Sequence, residues 1–563
     1  MQDTSVNIRI GGEAGQGLDT VGQLLTRALI RSGYEVVVVQ SYLSRIRGGH
    51  NTFTIRTGPD PIQAPGSGVD VLIALNQETV DKHKEVLKEG AVVIMDQELD
   101  DKGVQALKVP YEDLVEKKIH TNTAALGVAA GLLGLSQEVV AELINEQFGA
   151  KKPEVAEANT EVLSKAYAWL ERQDTKRDPL PETEDKGQRL MLAGSEAVAL
   201  GAMASGVTFC SFYPMTPSTG VALNLISNAR ELGIVVEQAE DEIAAINMAI
   251  GASFAGARAL VPTSGGGFAL MTEGVSLAGM TETPVVVVVA QRPGPATGLP
   301  TRTEQADLDL VLNAGHGEFP RAVFAPGTPE ECFFLTRKAF DLAERFQGPM
   351  FVLSDQYLAD SYRAVQPFDL EGMEDIAGPG TETDNPEEYQ RYALTENGVS
   401  PRLVPGFGSY LVVADSDEHT PDGHITEDHD VRVSMVDKRL TKGLGLFEEV
   451  IAPELDGDAQ DALLLVCWGS SKGSVQEAAA RLREQGKNVA MLHFSQVWPL
   501  KKEQFLSSLE QAATVVSVES NALGQLARLI RRETGFHIPK LLTRFDGLPI
   551  TPEHILERLD RIA

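Results

Sequence analysis

The 563-residue sequence predicts an α/β protein made of three α/β units whose sheets are mainly parallel. Short apolar runs alternate with stretches of helical periodicity, and strands that alternate with helices form parallel sheets with crossover helices. The five consecutive valines at 285–289 indicate a strand buried on both faces, as is typical of such sheets. A composition with 43% apolar residues and 52 glycines fits a globular protein of this class.

Changes in residue composition and hydrophobic periodicity divide the chain into five segments. Residues 1–173 form the first α/β unit, and the polar, proline-containing stretch 174–188 is predicted to be a linker. A second α/β unit spans 189–364. Residues 365–460 are rich in prolines, acids and histidines and are predicted to be an extended loop or connector. Apolar runs alternate with helical patterns again over 461–563, which predicts the third unit.

Net charge and cysteine content exclude several classes of function. A net charge of −31 argues against nucleic acid as a partner, because phosphate binding needs clustered lysines and arginines. The sequence has no charged-then-apolar leader and no apolar run long enough to span a bilayer, so a cytoplasmic location without membrane contact is expected. Cys210, Cys332 and Cys467 lie far apart, which predicts buried thiols and no metal site in this chain.

The segment FYPMTPSTG at 212–220 follows the apolar run 207–210. Proline has no amide hydrogen to donate, so a central strand cannot continue through it and must end in a turn that carries hydroxyl groups. Ligands bind at the carboxyl ends of strands in open parallel sheets, which makes this turn a candidate site. An ordinary strand-to-helix turn with a capping residue is the alternative.

Three further polar segments follow predicted strands. Four acids at 237–242 open a helix, and Glu242 leads its small-residue face, where it can point inward at a nitrogen base. Helix capping alone also explains acids in a first turn. Glycines 265–267 end the next strand, and the Pro/Gly/Thr-rich loop 291–305 follows the valine strand. Because they follow successive parallel strands, all these segments are expected to meet at one edge of the sheet.

The sequence GGEAGQG at 11–17 lies between a strand and a helix. Glycines let a backbone approach an anion, and a helix start offers free N–H groups. Arginines of the segment 44–50, SRIRGGH, could meet a phosphate. The acidic residue of a dinucleotide fingerprint is matched only loosely by Glu35, which disfavours a dinucleotide-dependent dehydrogenase. A tight turn with close helix packing is the alternative.

Together these segments resemble the 2-oxoacid:ferredoxin oxidoreductases. The first two units resemble the family's γ subunit fused ahead of its α subunit, and the third resembles a transketolase C-terminal domain. The second unit then corresponds to a thiamine-diphosphate pyrimidine-binding domain. The stretches that carry the resemblance are FYPMTPSTG at 212–220, EDEIAAINMAIGASFAGARA at 240–259, TSGGGFALMTE at 263–273, QRPGPATGLPTRTEQADL at 291–308, the N-terminal GGEAGQGL and SRIRGGH, and SNALGQL at 520–526.

The resemblance implies roles for particular residues. Glu242 matches the acid that activates thiamine diphosphate through its aminopyrimidine ring. Thr216 and Arg302 resemble the residues that hold the substrate carboxylate, with Arg292 as a rival for the arginine. The cofactor pocket is implied to include Tyr213, Pro214, Thr216, Pro217, Gly265, Gly266 and Gly267. Coenzyme A is assigned to Gly15, Gln16, Gly17 and Arg47, and a purely structural role for that loop is the alternative.

The usual diphosphate–magnesium motif of thiamine enzymes, Gly-Asp-Gly followed by Asn, is missing. The nearest string, 456–458, is inverted, and Asn488 beyond it is interpreted as coincidence. Too few cysteines are present for an iron–sulfur cluster. The resemblance therefore implies a β subunit that holds the diphosphate, Mg²⁺ and a [4Fe–4S] cluster, an (αβ)₂ heterotetramer, and ferredoxin as the acceptor.

A γ-then-α fusion without a cysteine-rich tail resembles the 2-oxoglutarate branch of the family. Lys438, Arg439 and Lys442 are available for a second substrate carboxylate, or else form a surface cluster. The implied reaction converts 2-oxoglutarate and coenzyme A to succinyl-CoA and carbon dioxide, or runs in reverse as carbon dioxide fixation. The alternatives are a broad, pyruvate or branched-chain oxoacid enzyme, a non-catalytic scaffold subunit, and a non-oxidative decarboxylase, which the first unit disfavours.

Overall fold

The computed structural model describes residues 4–43, 49–149, 152–175, 177–184 and 187–562. The chain folds into two compact units. The first consists of Met1–Leu192, Ser361–Phe368 and Thr551–Glu553. The second contains Ala193–Asp360, Asp369–Ile550 and His554–Ala563.

The strands of the described residues are numbered in chain order. They are β1 (Val6–Glu13), β2 (Glu35–Ser41), β3 (His50–Gly58), β4 (Val69–Ala74), β5 (Leu87–Asp96), β6 (Ala106–Val109), β7 (Leu190–Leu192), β8 (Phe209–Phe212), β9 (Val235–Gln238), β10 (Ala259–Thr263), β11 (Val285–Gln291), β12 (Ala322–Phe324), β13 (Pro349–Asp355), β14 (Arg363–Val365), β15 (Glu454–Asp456), β16 (Leu463–Trp468), β17 (Val489–Phe494), β18 (Gln496–Trp498), β19 (Thr514–Glu519) and β20 (Lys540–Thr543).

The α-helices of the same residues are numbered in the same way. They are α1 (Leu18–Arg31), α2 (Gln77–His83), α3 (Tyr111–Leu114), α4 (Thr121–Leu132), α5 (Gln137–Ile144), α6 (Pro153–Leu170), α7 (Gly194–Ala204), α8 (Thr219–Leu232), α9 (Glu242–Phe254), α10 (Gly265–Leu270), α11 (Thr272–Met280), α12 (Leu308–Asn313), α13 (Pro329–Phe346), α14 (Gln356–Asp360), α15 (His429–Glu448), α16 (Lys472–Glu484), α17 (Leu506–Gln511), α18 (Gln525–Thr534) and α19 (Pro552–Ile562).

The first unit is built on a mixed sheet with the order β6-β5-β4-β1-β3-β2-β14-β7. Strands β1, β4, β5 and β6 are parallel, as the alternation of strands and helices predicts. In the other half, β3 is antiparallel to both of its neighbours, which the sequence pattern did not predict. Residues 52–55 of β3 alternate: Phe53 and Ile55 are buried and Thr52 and Thr54 are partly exposed, as expected of a strand with one face on a core. The glycine loop 11–17 lies at the carboxyl end of β1.

The second unit contains two sheets. One has the order β18-β12-β13-β11-β10-β8-β9 and is parallel except at β18. Every residue of β11 is buried, as the valine run predicts. The other has the order β15-β17-β16-β19-β20 and is parallel except at β15. The predicted fold class, α/β with mainly parallel sheets, is confirmed.

The segment predicted to be a connector contains a long helix that the sequence pattern did not reveal. Residues 369–428 form little regular structure, but α15 spans 20 residues and is capped by Asp428, whose side chain accepts from the amides of Asp430 and Val431. Strands β7 and β14, on either side of the second predicted unit, pair with each other in the first sheet. The predicted segment boundaries stay predictions.

Two expectations from composition concern the cysteines and membrane-spanning helices. Cys210, Cys332 and Cys467 are buried, as predicted, and form no disulfide among the described residues. Burial raises the pKa of the Cys210 thiol to about 12, which keeps it protonated. No helix within the described residues combines the length and apolarity needed to cross a membrane.

Candidate active site

Four polar segments lie where neighbouring parallel strands of the seven-stranded sheet end. Tyr213 follows β8, Glu242 follows β9, the glycines 265–267 follow β10, and Arg292 follows β11. These strands are adjacent in the order β11-β10-β8-β9 and run in the same direction. The four segments therefore share one rim of the sheet, which is the usual ligand edge of such folds.

Glu242 is the first residue of α9, yet it does not cap the helix. The cap is Asp241, whose carboxylate accepts from the amide of Ala244 at 2.7 Å. Glu242 is only 4% exposed, and its Oε1 is buried without a hydrogen-bond partner among the described residues. A buried carboxylate oxygen without a partner is costly, so this atom is available to a ligand.

The triple glycine has a steric cause. A Cβ on Gly267 would lie 2.4 Å from Oγ1 of Thr263 and 2.8 Å from Oε1 of Glu242. A Cβ on Gly265 would lie 2.2 Å from Oδ2 of Asp307. Gly266 is exposed and meets nothing closer than 3.7 Å. Two of the three glycines therefore leave space for buried carboxyl groups.

Phe268 fixes the position of this turn. It follows the glycines directly, is fully buried, and packs edge-on against Phe351 of β13 with ring centroids 5.7 Å apart. Its backbone amide donates to the carbonyl of Ser264 at 2.8 Å. The glycine turn is thus held to the core of the seven-stranded sheet from one side.

The structure brings Arg292 and Thr216 together. A guanidinium N–H of Arg292 donates to the backbone carbonyl of Thr216 at 2.7 Å. Burial lowers the pKa of the Arg292 guanidinium, and the nearby Asp307 opposes that shift. Arg302 lies later in the same loop and packs next to Gly547. A Cβ added to Gly547 would lie 3.0 Å from the Cβ of Arg302.

The remaining residues of the predicted pocket differ in exposure. Tyr213 is 39% exposed and Pro214 is also exposed, whereas Pro217 is buried and Thr216 half-buried. Tyr213 and Pro214 are therefore accessible at the rim, whereas Pro217 is not.

The loop 291–308 is held by the five-stranded sheet through residues that the sequence did not single out. Gln305 is buried, and its side chain donates to the carbonyl of Trp468 at 2.9 Å and accepts from the amide of Ser520 at 3.0 Å. Gln525 donates to the carbonyl of Ala306 at 2.7 Å. Ser520 and Gln525 belong to the SNALGQL segment, so this segment's visible contribution is to anchor the loop that carries both arginines.

The SNALGQL segment is itself organised by one carboxylate. Glu519 is fully buried and accepts from the amides of Leu526 and Ala527, at 2.9 and 3.0 Å, and from the side chains of Trp468 and Asn521. Charge-assisted bonds from two amides in the first turn of α18 stabilise a carboxylate at a helix start. Sequence alone did not identify this role.

Two acids of the same loop are further residues that the sequence did not single out. Desolvation by burial raises the pKa of Asp307 to about 6, although Arg292 opposes the shift. Burial and the neighbouring Asp307 raise the pKa of Glu304 to about 7. An aspartate directly before a helix normally signals a cap, so nothing in the sequence distinguished Asp307.

The basic residues of 438–442 are not available to a substrate. The ammonium of Lys438 lies 2.6 Å from the carboxylate of Glu282, and that of Lys442 lies 2.7 Å from it. Arg439 pairs with Glu418 at 2.8 Å. All three basic side chains are nearly completely buried, so both predicted alternatives, a substrate site and a surface cluster, are wrong. The charges of these residues suggested that their face of α15 is exposed. In the structure this face of the 20-residue helix is buried.

In the first unit, the side chain of Gln16 closes the glycine loop. Its Oε1 accepts from the amide of Glu13 at 2.7 Å and from Asn76, and its backbone carbonyl accepts from Asn122 at 2.6 Å. Gly15 and Gly17 adopt φ values of 91° and 78°, which favour glycine. Arg47, the fourth residue predicted for coenzyme A, lies outside the described residues.

Comparison with protein families and relatives shows which family the chain belongs to. Three family models match: pyruvate ferredoxin/flavodoxin oxidoreductase over 7–169, the thiamine-diphosphate-binding domain of pyruvate flavodoxin/ferredoxin oxidoreductases over 200–438, and core domain II of pyruvate:ferredoxin oxidoreductase over 462–555. The 2-oxoacid:ferredoxin oxidoreductase α subunit of Saccharolobus solfataricus is 31% identical over 98% of this chain and 97% of its own length. The chain belongs to the 2-oxoacid:ferredoxin oxidoreductase family.

Two further relatives of this oxidoreductase subunit carry more specific names. The 2-oxoglutarate oxidoreductase subunit KorA of Mycobacterium tuberculosis is 30% identical over 94% of this chain and 87% of the relative. The structure of 2-oxoglutarate:ferredoxin oxidoreductase from Magnetococcus marinus, with 2-oxoglutarate, coenzyme A and succinyl-CoA bound, superposes with a TM-score of 0.91. That chain is 32% identical, and 99% of each chain is covered.

The chain is therefore an α subunit of a thiamine-diphosphate-type 2-oxoacid:ferredoxin oxidoreductase, an enzyme built from several subunits. The site residues fit that cofactor. Oε1 of Glu242 is a buried acceptor without a partner among the described residues, and a Cβ on Gly267 would collide with it. A carboxyl oxygen that lacks a protein partner can share a proton with a ring nitrogen of an aminopyrimidine.

Proposed function

We propose that this α subunit, together with a β subunit, oxidises 2-oxoglutarate with coenzyme A to succinyl-CoA and carbon dioxide and reduces ferredoxin, or catalyses the reverse carboxylation. The observation that carries the proposal is Oε1 of Glu242 at the rim of the seven-stranded sheet, which is buried and has no hydrogen-bond partner among the residues that the structure describes. The named activity of the Magnetococcus marinus enzyme, which superposes over nearly the whole chain, supports the choice of oxoacid.

Glu242 is proposed as the catalytic acid of this chain. Bound thiamine diphosphate supplies the carbon nucleophile and the electron sink of the reaction. Glu242 holds a proton at Oε1, next to the aminopyrimidine ring, and so favours the ring form that can remove a proton. Asp241 leaves Glu242 free for this role, because it already caps α9. Thr216, Pro214, Pro217 and the glycines 265–267 are proposed to line the pocket.

Arg292 is proposed to hold the carboxylate next to the reacting carbonyl. It lies beside Thr216 and donates to its carbonyl, so the guanidinium is fixed before substrate binds. Since Lys438 and Lys442 are committed to Glu282, another cation must meet the second carboxylate of 2-oxoglutarate. Arg302, the other arginine of the loop, is proposed for that carboxylate, and Tyr213 is proposed to border the substrate.

The diphosphate, Mg²⁺ and a [4Fe–4S] cluster are proposed to reside in the β subunit of an (αβ)₂ heterotetramer. The candidate string 456–458 supports this assignment, because Asp456 pairs with Arg483 at 2.8 Å and Gly457 abuts that same arginine. The side chain of Asn488 donates to the carbonyl of Gln460. These groups have protein partners, and the three buried cysteines lie far apart in the sequence.

Coenzyme A is proposed to bind near Gly15, Gln16, Gly17 and Arg47. The support is the coenzyme A bound in the Magnetococcus marinus enzyme and the position of the loop at the carboxyl end of β1. Gln16 uses its side chain to close the loop, so backbone N–H groups are the proposed contacts. Glu13, which is exposed, is the residue that opposes direct phosphate binding.

The proposed substrate is tested by comparing oxoacids on the purified complex of this chain with its β subunit. We expect kcat/KM for 2-oxoglutarate to exceed that for pyruvate and for a branched-chain oxoacid, measured as coenzyme A-dependent viologen reduction. A much higher kcat/KM for pyruvate would show that the substrate assignment is wrong, while activity with any of the three supports the family reaction.

Replacing the two arginines separately should affect the activities with 2-oxoglutarate and with pyruvate differently. We expect Arg302→Met to lower kcat/KM for 2-oxoglutarate by about 10- to 100-fold and to leave pyruvate unchanged, because a charge-assisted hydrogen bond to one carboxylate is worth roughly 1.5–3 kcal/mol. Arg292→Met should lower kcat/KM for both oxoacids, because both carry the carboxylate that it holds. Equal losses for both oxoacids in Arg302→Met would overturn the assignment of Arg302.

A further inference from the structure

Asp307 has an unusual conformation for a residue that precedes a helix. Its backbone amide donates to Oε1 of Gln291 at 3.0 Å, but its carboxylate makes no capping hydrogen bond to α12. The carboxylate turns towards α10 instead, where a Cβ on Gly265 would lie 2.2 and 2.5 Å from its two oxygens. Oδ2 is buried and has no hydrogen-bond partner in the described part of the chain.

Few charges face this carboxylate. Arg292 approaches from the end of β11 and attracts it, but the described residues include no ion pair between the two. Glu304 lies three residues earlier in the same loop and repels it. From α10 the contact is a glycine, and Asp309, on α12, is paired with Arg528 of α18 at 3.2 Å. A cation and an unpartnered acid therefore share the rim at the place where the substrate is proposed to bind.

The pKa of the Asp307 carboxyl group lies close to neutral pH. Burial raises its pKa to about 6 against the opposing effect of Arg292, and burial together with Asp307 raises the pKa of Glu304 to about 7. Two neighbouring acids that repel each other share protons in the neutral range. A small change in local charge is enough to protonate one of them.

We propose that Asp307 binds the oxoacid carboxylate as a neutral acid, taking up a proton from solvent on binding and donating it as a hydrogen bond opposite Arg292. This inference rests on the proposed function and adds a positioning residue to its substrate site. The guanidinium supplies the positive charge and Asp307 supplies a second donor, so the carboxylate is held from two sides. No covalent bond forms or breaks in the substrate.

The sign of the pH dependence follows from linkage. A bound anion disfavours the ionised form of Asp307, so its pKa is higher in the complex than in the free site. Above the free pKa of about 6, binding then requires uptake of a proton. The oxoacid Kd should therefore increase with pH by about tenfold per unit until the pKa of the complex is reached.

Isothermal titration tests this directly. The complex of the full chain with its β subunit is prepared without thiamine diphosphate, so that bound 2-oxoglutarate is not consumed, and titrated in two buffers of different ionisation enthalpy. We expect wild type to take up close to one proton per site above about pH 7. Asp307→Asn, which retains a donor, should bind with no proton uptake and with a Kd that does not vary with pH. The control Glu304→Gln should keep the uptake.

Each result has a defined meaning. Binding by wild type without proton uptake overturns the inference, and so does uptake that persists in Asp307→Asn or disappears only in Glu304→Gln. A second measurement needs no titration: the infrared band of a protonated carboxyl should appear on adding 2-oxoglutarate to wild type and be missing in Asp307→Asn. If the complex neither binds nor turns over any oxoacid, the proposed function fails. If the complex binds 2-oxoglutarate without taking up a proton, only the role of Asp307 fails.

Discussion

Replacing Glu242 with glutamine is expected to lower kcat of the assembled enzyme by about 10²- to 10⁴-fold, the range for loss of a positioned acid or base. Glutamine has the same shape but cannot hold the ionisable proton that the proposed activation needs. The helix should survive, because Asp241 caps α9 through the amide of Ala244. The measurement is coenzyme A-dependent viologen reduction with 2-oxoglutarate at saturating thiamine diphosphate.

Glu240→Gln is the matched control. It makes the same chemical change two residues earlier, at an exposed side chain, and should leave kcat within error of wild type. Wild-type kcat in Glu242→Gln would contradict the assignment of Glu242 and would favour the scaffold alternative. A loss in both variants would indicate that the region tolerates no change of charge and would not support a special role for Glu242.

The same carboxyl group can be displaced without altering it. Gly267→Ala would place a Cβ 2.8 Å from Oε1 of Glu242, so the side chain must move. Gly266→Ala meets nothing closer than 3.7 Å and serves as its control. A loss confined to Gly267→Ala would support the position of Glu242 as well as its charge.

The rim of the site was predictable because its signals are local. Proline and glycine end strands for steric reasons, and successive parallel strands place their carboxyl ends together. The sequence alone therefore assigns the segments after β8, β9, β10 and β11 to one edge. By contrast, β3 joins its sheet antiparallel, and its pairing with β1 and β2 depends on contacts between residues distant in the sequence.

The site residues that were missed depend on three-dimensional packing. Asp307 precedes a helix and has the sequence signature of a cap, and only its contact with Gly265 distinguishes it. Gln305 acts through the backbone of residues more than 160 positions away. The basic face of α15 is buried, against the usual rule that a helix buries its apolar face, because Glu282 supplies a compensating carboxylate.

Glu282→Gln is expected to lower the opening free energy of α15 by about 3–5 kcal/mol, the usual cost of removing one partner from a buried ion pair. Glu282 is fully buried, and its carboxylate lies 2.6 Å from the ammonium of Lys438 and 2.7 Å from that of Lys442. Arg391 donates to its backbone carbonyl at 2.7 Å. Glutamine would leave the lysine charges buried without an anion.

The measurement is hydrogen exchange of the α15 amides, which reports the opening of lowest free energy that exposes this element. Glu449→Gln is the control: Glu449 pairs with Lys338 at 2.7 Å and with Arg345 at 2.5 Å, but all three side chains are more than a quarter exposed, so a loss of about 0–1 kcal/mol is expected. Equal, small losses in both variants would show that the Glu282 cluster is not what holds α15.

The pH dependence of Glu282→Gln separates charge from packing. The surrounding cations lower the pKa of Glu282 to about 2 against the effect of burial, so wild type keeps this stabilisation above the unfolded pKa and loses it only as the pH falls through about 2. In the variant the unpaired lysines are the costly charges, and burial already lowers the pKa of Lys438 to about 8 in wild type. Raising the pH above that value neutralises Lys438, so the deficit of Glu282→Gln should shrink at alkaline pH. A deficit that stayed constant with pH would instead point to lost hydrogen bonds and packing, since neither depends on the charge of a lysine.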